Sequence, residues 1–121
     1  GGVPVARDAS GAVHGVQAVL DKDRTAALMA RALAADALLI ATDVPNAVLD
    51  YGTPHARPLN RIGAGELRAH LAGGQFAEGS MGPKVESAVR FVESGGRRAV
   101  ITGLDGVAAG LAGQAGTVVE P

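Results

Sequence analysis

The chain has 121 residues, 47% of them apolar and 19% charged, a balance that excludes a disordered polymer and fits one compact domain with its own core. Eleven basic against twelve acidic residues leave a formal charge of −1, so no global positive field exists to hold nucleic acid or an anionic membrane. Cysteine is absent, which excludes disulfides and thiolate metal sites and makes a reducing, cytoplasmic setting the expectation.

Val3-Pro4-Val5-Ala6 reads as a short strand. After the polar turn Asp8-Ala9-Ser10-Gly11, a second strand is predicted over 13–19, closing a hairpin. No export signal is read at the start, and no apolar run reaches the ~18 residues of a membrane span. From Asp21 the residues Ala26, Ala27, Met29, Ala30 and Leu33 predict a helix that is apolar around most of its circumference and therefore mostly buried. The run 37–41 has strand length and ends at the polar pair Thr42-Asp43, as a central parallel strand does. Residues 44–62 hold Pro45, Pro54 and Pro58 with Asn46, Asp50 and Gly52, and predict an ordered loop with at most short pieces of structure. A short helix follows over 66–71, closed by Gly73-Gly74.

The clearest amphipathic helix starts near Pro83. Val85, Ala88, Val89 and Val92 form an i, i+3, i+4, i+7 stripe, and Gly95-Gly96 provides the exit. A strand over 98–102, a glycine-weakened helix over 104–111 and a last strand over 117–119 complete the chain. Alternating strands and helices predict the α/β class, an αβα sandwich around a mainly parallel sheet.

Three groups of residues suit chemistry. Asp21-Lys22-Asp23 sits where a strand enters a helix; it reads either as a cap with a solvated lysine or as a phosphate pocket in which a carboxylate holds the ammonium. Gly79-Ser80-Met81-Gly82-Pro83-Lys84 reads either as an ordinary glycine loop and cap or as a backbone cradle for a nucleotide with a mobile charge at Lys84. Its spacing is not that of a GxxxxGK[ST] loop. Thr42-Asp43-Val44, with Tyr51-Gly52 beyond it, lies at a strand's carboxyl end, where open α/β sheets bind ligands; a turn beside a half-buried ring is the plainer reading. His14, His55 and His70 form no HxxxH or HxH pair, and GxSxG and GxGxxG are absent, which argues against zinc hydrolysis, serine-triad chemistry and Rossmann dinucleotide binding.

Together, Gly-Val-Pro-Val at 2–5, Gly-Val-Gln-Ala-Val-Leu-Asp-Lys-Asp at 15–23, Ala-Asp-Ala-Leu-Leu-Ile at 35–40, Thr42-Asp43-Val44 and the Gly79–Lys84 loop resemble the carbamate kinases of the amino acid kinase family. Gly74-Gln75-Phe76, the 91–96 segment and Gly116-Thr117 extend the resemblance from end to end. It implies that residues 1–121 are the ATP/ADP-binding, C-terminal half of that fold, and that the N-terminal half, with the carbamate site and a further lysine, is absent. The implied reaction is reversible phosphoryl transfer between ATP and carbamate, giving ADP and carbamoyl phosphate, in arginine or ureide breakdown.

By the same resemblance, Lys22 and Lys84 neutralise phosphate charge and Asp23 orients them. Thr42, Asp43, Val44, Tyr51, Met81, Gly82, Pro83 and Lys84 hold the nucleotide, with adenine near Tyr51 and Met81. Mg²⁺ bridges phosphate oxygens without protein ligands, and the full-length protein is expected to be a homodimer. Gln17 replaces a frequent glutamate, and Pro45 stands where aspartate is common. A family member with another acceptor, and a nucleotide-binding module inactive by itself, are the alternatives. Half a fold is also expected to expose an apolar flank or an open sheet edge.

Overall fold

The computed structural model describes residues 2–121. The hairpin forms as β1 (Val5–Arg7) and β2 (Val13–Gly15), paired antiparallel. The second strand stops four residues earlier than expected. Val16 N–H reaches Pro4 O at 3.1 Å, but proline has no N–H to return, so the ladder ends there.

α1 (Lys22–Ala32) is started by Asp21, whose side chain accepts the N–H groups of Asp23 at 3.0 Å and Arg24 at 2.9 Å. It closes with Ala35 N–H on Ala30 O and with Ala34 at φ +49, a conformation usually left to glycine. Contrary to expectation, α1 is not mostly buried: Leu28, Met29 and Leu33 are 66%, 57% and 76% exposed. Its alanine side, Ala26, Ala27 and Ala30, packs onto the core, and within the described residues nothing covers the opposite side.

β3 (Ala37–Thr42) follows, then β4 (Val48–Leu49) and β5 (Arg57–Pro58), a small antiparallel pair inside the proline-rich loop. β6 (Arg61–Gly63) leads into α2 (Ala64–Ala72), and α3 runs Met81–Glu93. Pro83 is therefore the third helical residue, inside the first turn where a missing N–H costs no helix bond. The predicted stripe is the buried face, with Val85, Ala88 and Val89 fully inaccessible. β7 (Arg98–Gly103), a 3₁₀ turn, α4 (Val107–Leu111) and β8 (Thr117–Glu120) end the chain.

The main sheet has the order β3-β7-β8-β6, parallel at β3/β7 and β6/β8 and antiparallel at β7/β8. β7 is buried on both faces and separates two helical layers. Ala99 and Ile101 join the core beneath α1–α3, whereas Val100 and Thr102, pointing the other way, pack within 3.2 Å of where a side chain on Gly110 of α4 would begin. The sandwich is thus the expected αβα arrangement. β3 is an edge strand, so with the bare side of α1 the open edge and the apolar flank both appear.

Thr117 fastens the proline-rich loop to the sheet. Its buried hydroxyl donates to Leu59 O at 2.6 Å and accepts the Ala47 N–H at 2.9 Å, so two backbone groups of a long loop are satisfied by one side chain.

Candidate functional site

α1 and α3 lie side by side with their first turns at the same end of the sheet, which brings the two lysine motifs together. Lys84 Nζ donates to Asp23 Oδ2 at 2.9 Å, and Lys22 Nζ approaches the same oxygen at 3.2 Å, although Asp23 and Lys84 are 61 positions apart. Asp23 is 7% exposed and the Lys84 side chain 13%, while Lys22 reaches into solvent. Two ammonium groups share the Asp23 carboxylate; Asp21, the cap of α1, adds a second negative charge beside Lys22, whereas the start of α3 has no side-chain cap and is the helix end open to an anion.

Burial pushes the Asp23 carboxyl upward, but the hydrogen bonds from Lys84 and Lys22 outweigh it and hold the group below its ordinary value. The bond to Asp23 likewise raises the Lys22 ammonium. A lowered carboxylate stabilises the fold fully above the unfolded value of about 3.9 and loses that contribution as the pH falls through the folded value. Asp23→Asn is therefore expected to lower the urea midpoint at neutral pH, with a cost that shrinks toward about pH 3. A cost that stayed constant in acid would assign the effect to packing.

Beside this cluster a cavity of about 420 Å³ opens between the carboxyl end of β3, the Tyr51 loop and the segment entering α3. Thr42, Asp43, Val44, Tyr51, Met81 and Lys84, all nucleotide candidates by the family resemblance, line it. Lys22, Gly82 and Pro83 do not. Gly82 is buried against Ala77 O, where a side chain would begin only 3.0 Å from the carbonyl, so its role is close packing. Gly79 and Ser80 of the glycine loop also line it, and Asn46, Val48, Gln75, Phe76 and Ala77, which were not singled out as site residues, complete the walls. Nothing marked Asn46 or Val48, and Gln75 and Phe76 had only their place before the glycine loop.

The chamber has apolar sides at Val44, Val48, Phe76 and Met81 and a cationic end at Lys84, a division that fits a flat base joined to phosphates. A larger crevice of about 650 Å³ shares Thr42 and Asp43 but opens toward the loops 103–106 and 113–116. Its one cationic side chain, Arg61, is paired with Glu120, so it lacks a free cation for phosphate. His14 and His55 are exposed, His70 lies 3.8 Å from Glu66, and among the described residues no three His, Cys, Asp or Glu side chains group as metal ligands.

Residues 1–103 match the model of the amino acid kinase family. The chain belongs to that family. Its whole length aligns with carbamate kinases, at 46% identity with that of Thermoplasma volcanium and 46% with that of Halobacterium salinarum, spanning 39% of each. Among solved structures, the carbamate kinase of Giardia lamblia bound to AMP-PNP superposes with a TM-score of 0.94 at 41% identity, over 99% of this chain and 42% of that one. Over the matched part this family member thus has the fold of that carbamate kinase.

Proposed function

We propose that this chain is the ATP/ADP-binding half of a carbamate kinase, catalysing reversible phosphoryl transfer between ATP and carbamate once joined to the half that carries the acceptor site. The observation that carries the reading is the meeting of Lys22 and Lys84 on Asp23 at the mouth of a base-sized chamber. Phosphoryl transfer asks a protein mainly for positioning and charge stabilisation, and two lysines with the uncapped start of α3 provide both. Lys84, at the chamber wall, takes the phosphate nearest the transferring group; Lys22, more exposed, takes the outer charge; Asp23 holds both in place.

Met81 and Tyr51 flank the base, and Thr42 and Asp43 hold the polar side. Mg²⁺ suits this site as a partner of the nucleotide's phosphate oxygens, because Asp23 is occupied by lysines and Asp43 already accepts the Thr42 hydroxyl at 3.0 Å. The bare side of α1 and the free edge of β3 are the seat proposed for the amino-terminal half. Lack of cysteine fits a cytoplasmic enzyme, and similarity to carbamate kinases fits arginine or ureide breakdown and a homodimer at full length.

The 121-residue chain is expected to bind ADP weakly and to make no ATP from carbamoyl phosphate, measured by calorimetry and a coupled assay, whereas a full-length version makes ATP in the same assay. Turnover by the short chain would overturn the division of labour. A full-length version that is inactive on carbamoyl phosphate yet binds ADP would favour another acceptor within the family.

A further inference from the structure

The turn that carries Tyr51 is tied to the segment entering the Gly79–Lys84 loop by a two-way hydrogen bond. Asp50 N–H donates to Gln75 Oε1 at 2.8 Å, and Gln75 Nε2 donates to Asp50 Oδ1 at 3.2 Å. One carboxamide therefore occupies both a donor and an acceptor of a residue 25 positions away.

The two sides of this clamp are held unequally. Asp50 sits at φ +51 and opens a turn in which Thr53 returns both its N–H, at 3.1 Å, and its hydroxyl, at 2.8 Å, to Asp50 O. Gln75 follows the exit of α2, where Gly74 at φ +73 lets Gln75 N–H reach His70 O at 3.2 Å, and its neighbour Phe76 is buried. The Gln75 side is thus anchored to a helix end and to the core. The Tyr51 side is not: its ring is 77% exposed, and among the described residues its hydroxyl makes no hydrogen bond.

We infer that Gln75 is a positioning residue for the nucleotide's base, locking the Asp50–Thr53 turn so that the Tyr51 ring already stands as a wall of the chamber when ligand arrives. A flat, π-rich base stacks on such a ring, and a wall ordered in advance spares the ligand the cost of ordering it. The inference rests on the nucleotide reading of the chamber. It separates base from phosphate, because the lysine cluster is held by Asp23 independently of Gln75.

Tyr51 is the single tyrosine and there is no tryptophan, so tyrosine emission from the 121-residue chain reports on this turn alone. Without ligand, Gln75→Ala is expected to lower Tyr51 anisotropy. It is also expected to weaken ADP binding about tenfold, the loss of one to two net hydrogen bonds of preorganisation, while inorganic tripolyphosphate binds as before. Asp50→Asn keeps both the accepting oxygen and the tolerance of positive φ, and is expected to behave as wild type in all three measurements. Unchanged anisotropy in Gln75→Ala with ADP binding intact overturns the inference alone, as does equal weakening of ADP and tripolyphosphate. A wild-type chain that binds tripolyphosphate but not ADP overturns the nucleotide reading and the inference with it.

Discussion

Replacing Lys84 with alanine is expected to cut carbamoyl phosphate-dependent ATP synthesis in the full-length enzyme by roughly 10²–10³-fold, the loss typical of one preorganised charge aimed at the transition state. The fold should survive. Asp23 keeps Lys22 as a partner, so its buried carboxylate is not orphaned, and the other buried contacts of α3 are untouched. If Lys84 acts on charge that develops during transfer, kcat and kcat/KM fall together; a rise in KM alone would assign it to ground-state binding. Unchanged kinetics would remove it from the catalytic reading.

Gly116→Ala is expected to destabilise the chain by about 2–5 kcal/mol, combining the penalty of left-handed backbone for a substituted residue with that of overpacking. In a domain of this size that corresponds to a fall in melting temperature of roughly 10–20 °C. Gly116 has φ +80 immediately before β8, and an added Cβ would lie 2.5 Å from Ile101 O and 2.7 Å from Thr102 Cβ. Both neighbours belong to β7, the strand buried on both faces, so neither retreats cheaply. Gly113→Ala is the control: φ is +74, but the nearest atoms are the flexible ends of Arg98 and Arg61, at 3.3 and 3.5 Å. Equal melting of the two variants would show that backbone strain alone matters at Gly116.

The same glycine shows how far the primary structure could be read. Gly116-Thr117 was noticeable only as part of a family resemblance, because the reason for both residues lies in partners far along the chain: β7 for the glycine, Ala47 and Leu59 for the threonine. Local patterns did better. The α3 stripe and the β3 and β7 runs rest on period and appear where expected; a cap within Asp21-Lys22-Asp23 was legible too, though whether Asp21 or Asp23 supplies it was left open until the structure chose Asp21. β6 was missed, since three residues between prolines and a helix carry too little pattern to announce a place beside β8. α1 was misjudged for the opposite reason: apolar composition reports what a helix is able to bury, not what the described chain offers to cover it.

From its own order of residues, this protein determines its helices and its longer strands, its αβα class and the two lysine-bearing motifs at helix starts, because each depends on periodicity, capping and turn chemistry within a few positions. Tertiary structure alone decided that Gly82 packs against a carbonyl and does not line the chamber and that Gln75 reaches Asp50, and it brought Lys22 and Lys84 onto Asp23, which only the family resemblance had implied. Those outcomes depend on how separate elements are stacked, and the free energy that stacks them comes from burying the apolar face of α3 and both faces of β7, side chains that take no part in the chemistry.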